Sequence, residues 1–300
     1  RDVAPSRGLG DVYKRQIFTL LATTLLTSCG NEDAELSNTR TRVNLETGIN
    51  AISRAPHINS DGSGNFENGD IIGLAISGNN GEFTTIEFSY NNPLYWEDIK
   101  LIDKPSTIGL VGFYPLLTIE KDKNSISFDI ENESEKDLLL APKQEIAYLS
   151  QNKIMLGFNH AMHKLNISFK SSDGSYSEES LGLISTTCHA YSACTVDLKE
   201  GIVNTPANKK DYQSVVGKNI SLLIIPQNKN DVTLKLNIAG NQKDFSLSGV
   251  EIKNTDRDYL EGGKTLSIEL DIRKNGIFVG GANISGWENQ GSVSGDIIVD

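Results

Sequence analysis

The sequence predicts an all-β protein of sandwich architecture, and three observations carry the prediction. Apolar and polar residues alternate along Ile86, Phe88 and Tyr90, along Ile126, Phe128 and Ile130, and along Leu165, Ile167 and Phe169. Such period-two alternation sets one row of side chains on a core face and the other toward water. Gly, Asn and Pro then cut the chain into many short segments, while helical 3.6-residue periodicity is sustained nowhere. Many short strands separated by turn residues are the pattern of a β-sandwich.

Arg1 to Gln16 contains Pro5, Gly8 and Gly10 but no Met, and reads as artefactual sequence ahead of an export signal. Lys14 and Arg15 precede the apolar segment Ile17 to Leu26, and Leu26-Thr27-Ser28-Cys29 follows. The order positive, apolar, small describes a secretory signal over residues 1–28, too short to cross a bilayer as a helix. Its end looks like the lipobox of bacterial lipoproteins, where the cysteine thiol is acylated and becomes the first mature residue. Cys29 is therefore the expected lipid-attachment site; the alternative is an ordinary cleaved signal with a chance cysteine. Acyl chains contribute about 0.8 kcal/mol per buried CH₂, so several of them make a stable anchor. Residues 29–41 are polar and aperiodic, as a lipidated flexible tether would be.

The strands follow in order. Arg42 to Ile52 is a strand candidate through Val43, Leu45, Ile49 and Ala51, with a register shift between. Ile71 to Ile76 is a nearly continuous apolar run, as is Ile108 to Tyr114, closed by Pro115. Leu138 to Pro142 is expected to end a first set of strands, and Phe158 to Leu165 to open a second. A boundary near Ser150 gives an N-terminal domain over 42–150 and a C-terminal domain over 151–300. The second set continues through Ser221 to Ile225, closed by Pro226, then Val232, Leu234, Leu236 and Ile238, then Leu266, Ile268, Leu270 and Ile272.

Charge and motifs narrow the chemistry. The formal net charge is −11, and loss of the four basic and two acidic residues of 1–28 makes it −13. An acidic chain without a basic patch argues against nucleic acid. His160 and His163 on a strand point to opposite faces and would not converge on one metal ion. Asp129, Glu131, Glu133, Glu135 and Asp137 read as a solvated acidic loop, because the glycine and spacing of a calcium loop are missing. Gly263-Lys264-Thr265 lacks the rest of a phosphate loop and reads as a hairpin turn. Val293 stands where a nucleophile elbow needs serine. No catalytic residue, metal site or cofactor is expected. Cys188 and Cys194 suggest a hairpin disulfide in an oxidising compartment, provided their Cα atoms lie within about 7 Å; two free, part-buried thiols are the alternative.

These residues together resemble the fimbrillin family of anaerobic Gram-negative bacteria, in its Mfa-like branch of type V pilins and pilus-associated lipoproteins. The resemblance rests on Cys29, on Ser53-Arg54-Ala55, and on Phe66-Glu67-Asn68-Gly69-Asp70-Ile71-Ile72-Gly73. It continues through Phe113-Tyr114-Pro115, Phe158-Asn159-His160-Ala161 with Lys164-Leu165, Ile225-Pro226-Gln227 and Ile284-Ser285-Gly286-Trp287.

The resemblance implies two transthyretin-like β-sandwich domains in tandem and export to the outer membrane as a surface lipoprotein. In polymerising members an arginine-specific protease removes an N-terminal strand, and a strand from a neighbouring subunit refills the groove. Arg54 matches the position where the family is trimmed, and Arg40 and Arg42 are competing sites. The expected partners are other fimbrial subunits, the outer membrane and a host or bacterial surface receptor. The C-terminal segment with Val293, Ile297 and Val299 is the expected donor strand. The rival reading is a surface glycan-binding lipoprotein, with Trp96 and Trp287 stacking on sugar; buried tryptophans would oppose it.

Overall fold

β-branched and aromatic residues, broken by turn formers at short intervals, give strands here almost throughout. The computed structural model of the protein describes residues 40–49, 66–101, 103–131, 137–252, 258–286 and 297–299. Up to His160 the strands are β1 (Leu45–Ile49), β2 (Ile71–Ser77), β3 (Phe83–Ser89), β4 (Thr107–Tyr114), β5 (Ser125–Asp129), β6 (Leu139–Ala147) and β7 (Ile154–His160). Then come β8 (His163–Lys170), β9 (Ser185–Asp197), β10 (Ile202–Val216), β11 (Asn219–Ile224), β12 (Gln227–Asn228), β13 (Thr233–Ile238) and β14 (Asn241–Ser246). The last are β15 (Tyr259–Leu260), β16 (Lys264–Arg273), β17 (Gly276–Gly286) and β18 (Ile297–Val299). A short α-helix among the described residues, α1 (Glu178–Gly182), is capped by the Ser177 hydroxyl, which accepts from the Ser180 N–H.

The protein is all-β, as the alternation predicts. A first sheet has the order β1-β7-β6-β4-β2-β3. A second has the order β10-β9-β13-β14, with β5 also paired to β9, and a third the order β11-β8-β16-β17-β18. β12 and β15 form a separate pair. Two cores result. Ile72, Leu74, Ile108, Leu110, Leu156 and Phe158 belong to the smaller one. The larger takes Val111 and Phe113 from the other face of the same sheet, together with Ile126, Leu165, Val196 and Leu266. This explains the continuous apolar run of β4, whose two faces are both covered.

Close approach of sheets and strands demands glycine at two positions. A Cβ on Gly73 would lie 2.1 Å from Phe113 Cε2, and one on Gly112 would lie 2.6 Å from Phe158 Cζ. Both aromatic rings are fully buried, so neither can yield cheaply.

Four expectations need correction. Leu138 to Pro142 does not end a set of strands but leads into β6. Pro142 is tolerated inside that strand because Pro142 and Lys143 together oppose Val111 in a bulge, where a ladder hydrogen bond is already lost. The strand expected over 42–52 starts later: Arg42 makes an isolated bridge to Tyr95, and the ladder begins at Leu45 and is described to Ile49; residues 50–52 lie outside the described residues. Gly263 lies in a turn that feeds β16, but β15 before it pairs with β12, so the turn closes no hairpin. A division near Ser150 would fall between β6 and β7, which pair through Leu139↔His160 and Leu140↔Asn159, while β5 crosses over to pair with β9.

The Ile225-Pro226-Gln227 segment has a specific structural task. β9 is flanked on one side by β13 opposite Ser185 to His189 and by β5 opposite Ala193 to Asp197. Tyr191 lies in the gap between them. There the Gln227 side chain takes the place of a strand: the Tyr191 N–H donates to Gln227 Oε1 at 3.1 Å, and Gln227 Nε2 donates to the Tyr191 carbonyl at 3.3 Å. Nε2 also donates to the Ile225 carbonyl at 2.9 Å. A primary amide presents the same donor and acceptor as a peptide group, so it can satisfy main-chain atoms that no strand reaches.

Candidate functional site: the N-terminal strand and its groove

The segment from Thr41 to Ile49 is held at two places. Its first part is clamped near Trp96: the Trp96 N–H donates to the Thr41 carbonyl at 2.9 Å, and the Val43 N–H to the Leu94 carbonyl at 2.8 Å. The Thr41 N–H donates to the Glu97 carboxylate at 3.0 Å. Beyond the clamp, the Ile154 N–H donates to the Asn44 carbonyl at 2.8 Å, and β1 runs parallel to β7 from Leu45↔Ile154 to Ile49↔Phe158.

β1 is a modest cover. Leu45 and Ile49 are only half-buried on the smaller core, and Thr47 Oγ1 is buried without a hydrogen-bond partner. Glu46 and Gly48 face outward, Glu46 forming an ion pair with Lys153. One five-residue ladder at a sheet edge, carrying two partly buried side chains, is worth a few kcal/mol at most. Beneath it Ile154, Leu156 and Phe158 of β7 are buried, so losing β1 would expose an apolar floor beside unpaired backbone groups.

The arginines differ in what a cut would achieve. Arg40 and Arg42 are exposed but precede β1, so cleavage after either leaves the strand attached to the chain. Arg54 is the only arginine between β1 and Phe66. Arg54 and Cys29 both lie outside the described residues. The clamp at Leu94 to Glu97 escapes sequence reasoning, because Arg42 and Tyr95 are brought together across a long stretch of chain without any shared motif.

Other candidates resolve differently. Cys188 and Cys194 are free and buried, which corrects the expected hairpin disulfide. Both lie on the single strand β9, where six residues at about 3.3 Å each separate their Cα atoms by about 20 Å, far beyond the reach of a disulfide. Burial pushes both thiols up to about 12. The native protein is accordingly expected to resist iodoacetamide at pH 8 and, once unfolded without reductant, to take up two labels on these residues. Mass spectrometry of the alkylated protein checks this.

Asp137 is likewise no part of a solvated loop. It is 1% exposed and paired with His160 Nδ1. Burial raises its carboxyl above the usual range against the opposing effect of His160. Asp129 and Glu131 instead share Lys210, at 3.6 and 2.6 Å; Glu133 and Glu135 lie outside the described residues. No group of three or more His, Cys, Asp or Glu that could hold a metal occurs among the described residues. Trp96 is 1% exposed, edge-on to Tyr148 at 5.4 Å, and its Nε1 donates to the Ser150 carbonyl at 3.0 Å. It offers no face to a sugar; Trp287 lies outside the described residues.

A sequence profile described as fimbrillin-like matches residues 53–287. The chain belongs to the fimbrillin-like family. That membership supports a fimbrial or adhesive surface protein. Among solved structures, the fimbrillin-like chain is similar to a candidate cell adhesion protein from Bacteroides uniformis, at 16% identity and a TM-score of 0.60, over 84% of this chain and 99% of that one. It is also similar to one from Bacteroides ovatus, at 14% identity and a TM-score of 0.56, over 84% and 99%. Identities this low establish a shared fold. No curated protein sequence matches the chain. No helix among the described residues is long and apolar enough to cross a membrane.

Proposed function

We propose that this fimbrillin-like protein is a non-enzymatic, surface-exposed fimbrial subunit, exported to the outer membrane as a precursor lipidated on Cys29 and, once cleavage after Arg54 has removed that anchor together with β1, joined to its neighbours by strand exchange. The observation that carries the proposal is the placement of β1: a short parallel edge strand covering an apolar floor, upstream of a single arginine whose cleavage would release it. Once β1 leaves, the edge of β7 can pair with an extended segment of another subunit, main-chain hydrogen bonds supplying affinity and alternate side chains filling the floor. The C-terminal segment is the donor. In its own chain the described part of this segment, β18, forms a three-residue ladder with β17, Ile277↔Val299 to Val279↔Ile297, at the edge of the third sheet.

Treatment with an arginine-specific protease is expected to turn monomers into ladders that survive mild detergent. Arg54→Ala should remain monomeric, and deletion of Val293 to Asp300 should be trimmed without assembling. Persistent monomers after clean trimming, or ladders indifferent to the deletion, would contradict the proposal. Cys29→Ala should abolish fatty-acid labelling and detergent partitioning; normal labelling would place the anchor elsewhere.

A further inference from the structure

We propose that the turn between β7 and β8 is an acid-opened joint between the two cores, with His163 as the group whose protonation opens it. The joint stands independently of strand exchange. β7 belongs to the first sheet and β8 to the third, and only Ala161 and Met162 separate them. Three elements converge on this turn. The Ala161 N–H donates to the Leu138 carbonyl at 2.7 Å, just ahead of β6, and Asp137 beside it holds His160. From the loop ahead of β16, the Gly263 N–H donates to the Met162 carbonyl at 2.9 Å. Gly262 in the same loop packs so closely that a Cβ there would lie 2.4 Å from the Ala161 carbonyl oxygen. β11 closes the other side, with Ile224 opposite His163.

His163 is fully buried at the centre of these contacts. Its Nδ1 is 2.9 Å from the Glu261 carbonyl oxygen and donates to it, which makes Nε2 the bare nitrogen of the neutral ring. Nε2 is buried without a hydrogen-bond partner. A proton arriving there would place a charge in the interior with nothing to receive it, and burial accordingly pulls the imidazole down to about 4, against the pull of Glu261. The charged groups around it are Glu261 in the loop, Lys164 beside it in β8, Lys264 at the exposed start of β16, and Asp137 with His160.

The sign follows from linkage. A base whose affinity for protons is depressed in the closed state binds more protons when open, so closure is favoured above the ordinary histidine range and lost as pH falls toward about 4. Asp137 acts in the opposite direction, because its raised carboxyl takes up a proton more readily in the closed state. Through His163 alone, with values of about 4 closed and about 6.5 open, moving from pH 7.5 to 5.0 raises the opening constant roughly thirtyfold, and Asp137 subtracts from this.

Hydrogen exchange of the full chain at pH 7.5 and 5.0, corrected for intrinsic rates, tests the joint. The amides of Ala161 and Gly263 should lose protection relative to those of β4, by up to that factor. His163→Gln, which still donates to the Glu261 carbonyl but never charges, should abolish the acid-induced loss, leaving at most the opposite effect of Asp137. In parallel, NMR titration of the wild-type ring should give a value near 4. Equal changes at the turn and in β4, an undiminished pH effect in His163→Gln, or a normal imidazole titration would each overturn the proposal.

Discussion

Replacing Gln227 by leucine is expected to lower the unfolding free energy by about 4 kcal/mol. The Tyr191 N–H, the Tyr191 carbonyl and the Ile225 carbonyl would all lose the amide that satisfies them, and each unsatisfied buried group costs about 1–3 kcal/mol. Leucine keeps most of the volume, so the loss isolates the polar contribution. Gln227→Glu should be at least as damaging, because a carboxylate has no N–H to give to either carbonyl and would bury a charge. Denaturant unfolding measures the effect. A loss of under about 1 kcal/mol would mean that the gap in β9 relaxes around the substitution.

Phe158→Ala should cost about 3–5 kcal/mol, through lost burial and the cavity left behind. The ring is fully buried, packs edge-on to Phe66 at 5.1 Å, and stands over Gly112. Gly112→Ala alone should cost about 1–3 kcal/mol by overpacking. In the Phe158→Ala background the same substitution should cost markedly less, because the ring it would strike is gone; additive losses would place the clash elsewhere. Unfolding of the two single variants and the double variant decides between these outcomes.

Where side chains are large, the fold is legible in the sequence. β5, β8, β13 and β16 alternate apolar and polar residues visibly, and each lies where that alternation places it. β9 alternates just as strictly, but its buried row is Thr186, Cys188, Ala190, Ser192, Cys194 and Val196. Small and polar residues carry little hydrophobic signal, so the strand was hidden and its two cysteines suggested a turn between them. Glycines weaken the signal of β17 in the same way. Asp137 looks solvated beside its acidic neighbours, and only the long-range contact with His160 reveals otherwise. At the candidate site, the arginines and the start of β1 are local features, whereas its parallel pairing with β7 and the clamp at Trp96 depend on contacts that no local pattern encodes.

The central claim, that β1 is a removable cover for the groove along β7, is tested most directly by locking the strand in place. Glu46 and Met155 are opposed in the parallel ladder and both face solvent, Met155 being 51% exposed. Neighbouring strands lie about 4.8 Å apart, which suits a disulfide, so Glu46→Cys with Met155→Cys should cross-link without disturbing the core. Size measurement after cleavage at Arg54 should find the oxidised protein monomeric, with ladders appearing only when reductant releases β1. Ladders of equal length in the oxidised and reduced states would show that assembly does not pass through this groove.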